Sequence, residues 1–201
     1  MSGIIVELKN NNETAVKKHK EQGIFAEIRT YIETEEQTFC NLLIELVTGI
    51  TEEIKKREGK ISRSKLRDKA LEFVDNGSFE PMIAIAIISA LADKYEVSLS
   101  REEIIKRAYD FNMKFPIGTG FYRWIVATII HNEIDMTSKK SKKKRWNWLW
   151  DYNVCFALND KLNGRNVILV TSDGEMKKIA QEYGFEQRVL TLDEYYKFLK
   201  S

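Results

Sequence analysis

Apolar residues recur at three- and four-residue steps along most of the first two thirds of the chain. Phe25, Ile28 and Ile32, then Phe39, Leu42, Leu43 and Leu46, predict helix between Thr14 and Arg57. Glu33, Glu35 and Glu36 separate the two runs, Thr38 is placed to cap the second, and Gly49 with Thr51 predicts a stop and a restart. Ahead of them, residues 4 to 8 (Ile-Ile-Val-Glu-Leu) read as a short strand closed by Asn10, Asn11 and Asn12. Further helices are expected at Lys65 to Val74, after the loop Gly59 to Ser64, and from Ser100 to about Asn112, where Glu103 completes a capping box. Met82 to Tyr95 is apolar on nearly all sides and is expected to be a central, buried helix. Phe115-Pro-Ile-Gly118-Thr-Gly120 reads as a helix break, followed by an apolar helix from Phe121 to Asn132.

The pattern changes after Asp135. Ser138 to Arg145 has no apolar residue, and beyond it short runs alternate: helix Asp151–Leu162, strand Val167–Thr171, helix Glu175–Tyr183, strand Val189–Thr191 and helix Leu192–Leu199. Such alternation predicts parallel strands with helical crossovers. The expected fold class is therefore α/β: a helix-rich part over residues 1–137, with strand 4–8 a possible addition to the sheet, a basic linker or loop at 138–145, and an α/β part at 146–201.

The chain has 201 residues, 43% hydrophobic and 31% charged, enough for one large domain or two small ones with a substantial core. Net charge is +2, so only its distribution bears on partners. Cys40 and Cys155 sit in apolar surroundings and read as buried free thiols, with no zinc spacing among them and the two histidines, His19 and His131. The first residues lack the pattern of a signal peptide, and the longest strongly apolar run, Met82 to Ala92, is shorter than the ~20 residues that span a bilayer. A reducing cytoplasm and no membrane contact are the expectation.

Two features carry chemistry. Asp173 follows the apolar strand Val167–Thr171, and Asp151 opens the helix before it. Carboxylates gathered at the carboxyl edge of parallel strands raise one another's pKa unless a cation neutralises them, and Mg²⁺ or Mn²⁺ does so. Read structurally, Asp151 is a helix cap and Ser172-Asp173-Gly174 a turn. Lys139, Lys140, Lys142, Lys143, Lys144 and Arg145 put six positive charges in seven residues, with Trp146, Trp148 and Trp150 directly after. Lysines neutralise phosphates and exposed aromatics stack on unpaired bases, whereas the plainer reading is a solvated loop beside core tryptophans. Phe115 to Gly120 lacks the Lys-Ser/Thr of a P-loop, and no nucleophile motif is present.

From Asp151 through Phe-Ala-Leu158, Leu-Asn-Gly164, Val-Ile-Leu-Val-Thr-Ser-Asp173, Tyr-Gly184 and Val-Leu-Thr-Leu-Asp-Glu-Tyr195 to Leu199, the chain resembles the C-terminal half of PIN-domain ribonucleases. The resemblance covers residues 146–201 and implies a PIN-like parallel sheet, with Asp151 and Asp173 as catalytic and metal-binding acids. The family's opening strand ends in Asp; here Ile4-Ile5-Val6 is followed by Glu7, which is the candidate third ligand. Early helices offer Glu27, Glu33, Glu36 and Glu45, and none stands out.

The expected function is thus a Mg²⁺- or Mn²⁺-dependent PIN-like endoribonuclease, a toxin, defence or RNA-processing factor whose run 138–145 holds RNA. The alternatives are a catalytically silent PIN-like module that binds RNA or protein, and a helical interaction protein. In the last, the apolar helices Phe39 to Val47 and Met82 to Ala92 form a homodimer or partner interface.

Overall fold

The computed structural model describes residues 17, 20, 23–159, 161–162 and 164–200. Glu7 and the expected strand 4–8 lie outside the described residues. The chain divides into two compact units, Met1–Leu42 and Leu43–Ser201. In the first, the described chain is mainly the opening part of α1 (Ile24–Glu58), an uninterrupted helix that passes Gly49 without the expected stop. Thr30 and Thr34 donate their hydroxyls to the carbonyls of Ala26 and Thr30, at 3.0 and 2.8 Å, and so remain compatible with helix.

The second unit is built on helices. After α1 come α2 (Arg63–Val74), α3 (Phe79–Lys94), α4 (Arg101–Lys114), α5 (Pro116–His131), α6 (Lys139–Lys143), α7 (Asn147–Ala157), α8 (Gly174–Glu182) and α9 (Leu192–Phe198). Local signals account for their limits. Ser62 caps α2, the box between Ser100 and Glu103 caps α4 with bonds of 2.8 and 3.3 Å, and a second box between Thr191 and Glu194 caps α9. Pro116 takes the first position of α5, where its missing N–H costs nothing. Gly184, at φ 76°, ends α8 in the left-handed conformation.

The expected α/β sheet is not what forms: the described chain is mainly helical. Its strands are two residues each, β1 (Lys161–Leu162), β2 (Arg165–Asn166), β3 (Leu169–Val170) and β4 (Val189–Leu190). β1 and β2 make an antiparallel hairpin; β3 and β4 pair in parallel, with Leu169 opposite Val189 and Val170 opposite Leu190. Thr171 N extends that ladder by donating to Leu190 O at 2.9 Å. The physical reason lies in what the helices cover. In an α/β sheet they would bury their apolar faces against the strands, whereas here α7 packs on α5 and α8 divides its contacts between α5 and the two-residue β4.

The central helix is also not the expected one. α3 buries only Phe79, Ile83, Ala84 and Ala92, and Ile85 and Leu91 stay exposed. The core belongs to α5, which buries Ile117, Gly118, Thr119, Gly120, Phe121, Ile125, Val126, Ile129 and Ile130. α5 touches α2, α3, α4, α7 and α8. The predicted break at 115–120 is thus a real helix boundary at Phe115, but its glycines serve the first turns of α5. A side-chain carbon at Gly118 would stand 3.1 Å from Phe156 Cζ of α7, and one at Gly120 would collide with the ring of Tyr183 at the end of α8. Thr119 between them, fully buried, donates its hydroxyl to Asn112 Oδ1 at 2.7 Å.

No single helix among the described residues is long and apolar enough to cross a membrane.

Gly120→Ala is expected to cost about 1–3 kcal/mol, the usual range for overpacking a filled core. Thermal unfolding followed by circular dichroism should show a fall in Tm of several degrees, and the double change Gly120→Ala with Tyr183→Leu should recover part of it.

Candidate functional site

Asp151 lies one turn inside α7, which starts at Asn147; it does not open the helix as the sequence pattern suggested. It is half-buried, because α7 lays its other face, Tyr152 and Cys155, into the core. Phe156 meets α5 at Gly118 and packs near Phe111, Phe115 and Tyr152, with ring centroids 5.8, 5.6 and 4.7 Å away.

Asp173 is fixed differently. It stands three residues after β3 and caps α8: its Oδ1 accepts from the N–H groups of Glu175 and Met176 at 2.8 and 3.2 Å. Its own N–H donates to Thr171 Oγ1 at 3.0 Å. Both readings of this residue are therefore compatible, since the cap uses one carboxylate oxygen.

The two acids meet. The Asp151 carboxyl titrates above the ordinary aspartate value, first because burial penalises its charge and second because the Asp173 charge is near. Cys155, one turn beyond Asp151, feels the same pair: burial, then Asp151 and Asp173, push its thiol up to about 12. Cys40 and Cys155 are both free and buried, as expected, and a thiol so far above neutrality is no nucleophile.

Two carboxylates that repel each other suit a hard cation. Mg²⁺ is commonly held by one or two carboxylates, with waters and substrate phosphates completing its shell, so Asp151 and Asp173 fit that role. Among the described residues no group of three or more His, Cys, Asp or Glu is arranged to hold a metal. The third candidate ligand, Glu7, is outside them.

The basic run is ordered as a helix and turn. Ser138 Oγ accepts from Ser141 N at 3.2 Å and starts α6; Lys144 and Arg145 then turn the chain into α7. Lys139, Lys140, Lys143 and Lys144 are exposed, and Lys142 is half-buried. Arg145 has a structural post: its Nη1 donates to Ser141 O and Oγ, both at 3.0 Å, and its guanidinium lies 5.6 Å from the Trp148 ring centre. A shallow pocket of about 300 Å³ is lined by Ser138, Lys140, Lys144, Arg145 and Asp135. Asp135 is occupied by the hydroxyl and N–H of Thr137, at 2.6 and 2.8 Å, and Glu133 pairs with Arg63 at 2.7 Å, so neither joins the acid pair. Trp148 packs edge-on to Trp124, 6.0 Å between centroids, whereas Trp150 is partly exposed.

The residue that sequence reasoning passed over is Arg123 of α5. It donates to Glu80 and Asp75 at 3.1 Å each and to Glu182, while the Tyr183 hydroxyl donates to Glu80. This cluster ties the end of α8 to α3 and to the cap of α2, and so positions the helix that Asp173 begins. The available signal was that Arg123 is the sole charge between Pro116 and Ile130; a lone charge in an apolar helix requires a partner.

Comparisons with family models, curated proteins and solved structures return no match for this chain.

Because its folded pKa is raised, a charged Asp151 costs stability. The cost is absent below the unfolded value near 3.8 and complete above the folded value. Asp151→Asn should therefore raise Tm at pH 7, in metal-free buffer, by on the order of 1–2 °C. The gain should vanish at pH 3, and differential scanning calorimetry at the two pH values checks it.

Proposed function

We propose that this protein is a divalent-cation-dependent endoribonuclease whose acid pair is Asp151 and Asp173. The observation that supports it is that Asp151 on α7 feels the charge of Asp173 at the start of α8, with a lysine-rich helix just before α7 in the chain. The order of residues from Asp151 to Leu199 resembles that of PIN-domain ribonucleases, and the proposal takes from this resemblance the pairing of the acids.

Asp151 and Asp173 would hold Mg²⁺ or Mn²⁺. Such a cation, when bound, offsets charge on a phosphodiester and makes water a better nucleophile at neutral pH. The chain's own groups do the rest. The Asp173 cap keeps one carboxylate at a fixed distance from β3, and the packing of Phe156 on α5 keeps the other on a rigid helix. Lys139, Lys140, Lys143 and Lys144 present exposed cations to the RNA backbone immediately before α7, and Trp150 offers a partly exposed ring for an unpaired base.

The absence of a third acid among the described residues favours a second reading, an RNA- or protein-binding module that does not cut. A protein that binds RNA with strong salt dependence, yet gains no thermal stability from Mg²⁺ or Mn²⁺, belongs to that reading.

Asp173→Asn separates the site from the fold, because asparagine caps a helix as well as aspartate. The expected result is a loss of RNA cleavage of about a hundredfold or more, roughly 2.7 kcal/mol of barrier, with Tm nearly unchanged. Cleavage at the full rate would remove Asp173 from the site. Changing the four exposed lysines to glutamine should weaken RNA binding and flatten the slope of log K against log salt by about 2.8, at roughly 0.7 per phosphate contact on a single strand. An unchanged slope would place the RNA elsewhere.

A further inference from the structure

α4 shows solvent a stripe it has no reason to leave bare. Ile105, Tyr109 and Met113 follow one another at four-residue steps and are 48%, 67% and 65% exposed. They lie apart from the side that α4 turns inward, marked by buried Ala108 and half-buried Ile104 and Phe111. Solvated helix faces carry polar residues, and three large apolar side chains in a row mark an interaction surface.

Directly beside this stripe runs a second one, also at four-residue steps: Glu102, Lys106, Asp110 and Lys114, all exposed. Its signs alternate and sum to zero. A neutral, alternating row offers no net attraction to nucleic acid or to a strongly charged partner. It is, however, complementary to itself when reversed.

We infer that the protein forms a two-fold homodimer in which α4 packs antiparallel on α4 of a second copy. A two-fold axis level with Ala108 sets Glu102 opposite Lys114 of the second copy and Lys106 opposite Asp110, each pair occurring twice. The same axis places Ile105 at a height midway between Tyr109 and Met113 of the second copy, so the apolar side chains interdigitate. The axis keeps both charged rows on the same side of the helix pair, where they meet. One operator thus satisfies the apolar stripe and the charged stripe together, which is the self-complementarity an isologous interface requires. The apolar stripe supplies the affinity, and rim ion pairs of this kind contribute little energy but fix direction and register. The occupant is a second copy of the chain. The surface involved is distinct from the acid pair, so the dimer stands or falls independently of nuclease activity.

Sedimentation velocity and light scattering over a range of concentrations test this with the full chain. The wild type should show a concentration-dependent species of twice the chain mass. Tyr109→Glu, a change at an exposed position, should weaken association at least tenfold with an unaltered thermal melt. Lys106→Glu and Asp110→Lys should each weaken it, and the double variant should restore it, because each side of the exchanged pair then meets its complement. A wild type that stays monomeric throughout, leaving the stripe for a different protein, would overturn the proposal. So would a dimer indifferent to Tyr109→Glu, or a double variant no better than the singles.

Discussion

How closely α7 and α8 can approach α5 decides where Asp151 and the helix capped by Asp173 stand. That approach is set by two missing side chains. At Gly118 the α5 backbone admits the ring of Phe156, and at Gly120 it admits the ring of Tyr183. Neighbouring positions fill the space left over: Phe111 and Phe115 close around Phe156, and Tyr152 meets Tyr122 edge-on with centroids 4.7 Å apart. Interiors are packed as densely as organic crystals, so one added methyl group moves a helix. Both helices use the first turns of α5, and the charge of Asp173 at the start of α8 is felt by Asp151 on α7.

Electrostatics then works in two opposite ways around α5. At Arg123 one cation answers Asp75, Glu80 and Glu182, and the cluster draws α2, α3 and α8 together. At Asp151 burial penalises the charge, and the Asp173 charge adds to that penalty. The first arrangement is a lock, with each acid matched by the shared guanidinium. The second is a standing cost to the fold, and uncompensated costs of this kind gather where a protein binds something. The lysines of α6 precede Asp151 by a short stretch of chain.

Some local signals were legible in the sequence to within a residue or two, while the helices expected to start at Asp151 and Phe121 begin at Asn147 and Pro116. The box Ser100–Glu103 and the helices that follow Asp173 and Thr191 formed as their residue types dictate. Of the two acids the sequence pairs, Asp151 carries a raised pKa, from burial first and the Asp173 charge second. What was not legible was which surface the helices choose. The apolar runs at 167–171 and 189–191 read as sheet strands, yet only two residues of each pair, and the helices beside them bury their faces on α5. Periodicity reports that a face is apolar and not what covers it. The same ambiguity made α3 look central: its composition is apolar throughout, but Gly118 and Gly120 give α5 the closer approach to its neighbours. Arg145 was counted with the lysines by charge alone, while the fold employs it between Ser141 and Trp148.

The proximity of Asp151 and Asp173 can be measured by titrating the Asp151 side-chain carboxyl with carbon-detected NMR, in the wild type and in Asp173→Asn. The wild-type pKa should lie above 3.8 and fall when the Asp173 charge is removed, with burial keeping the remainder of the elevation. An Asp151 pKa that is the same in both proteins would show that the two carboxylates do not share a site.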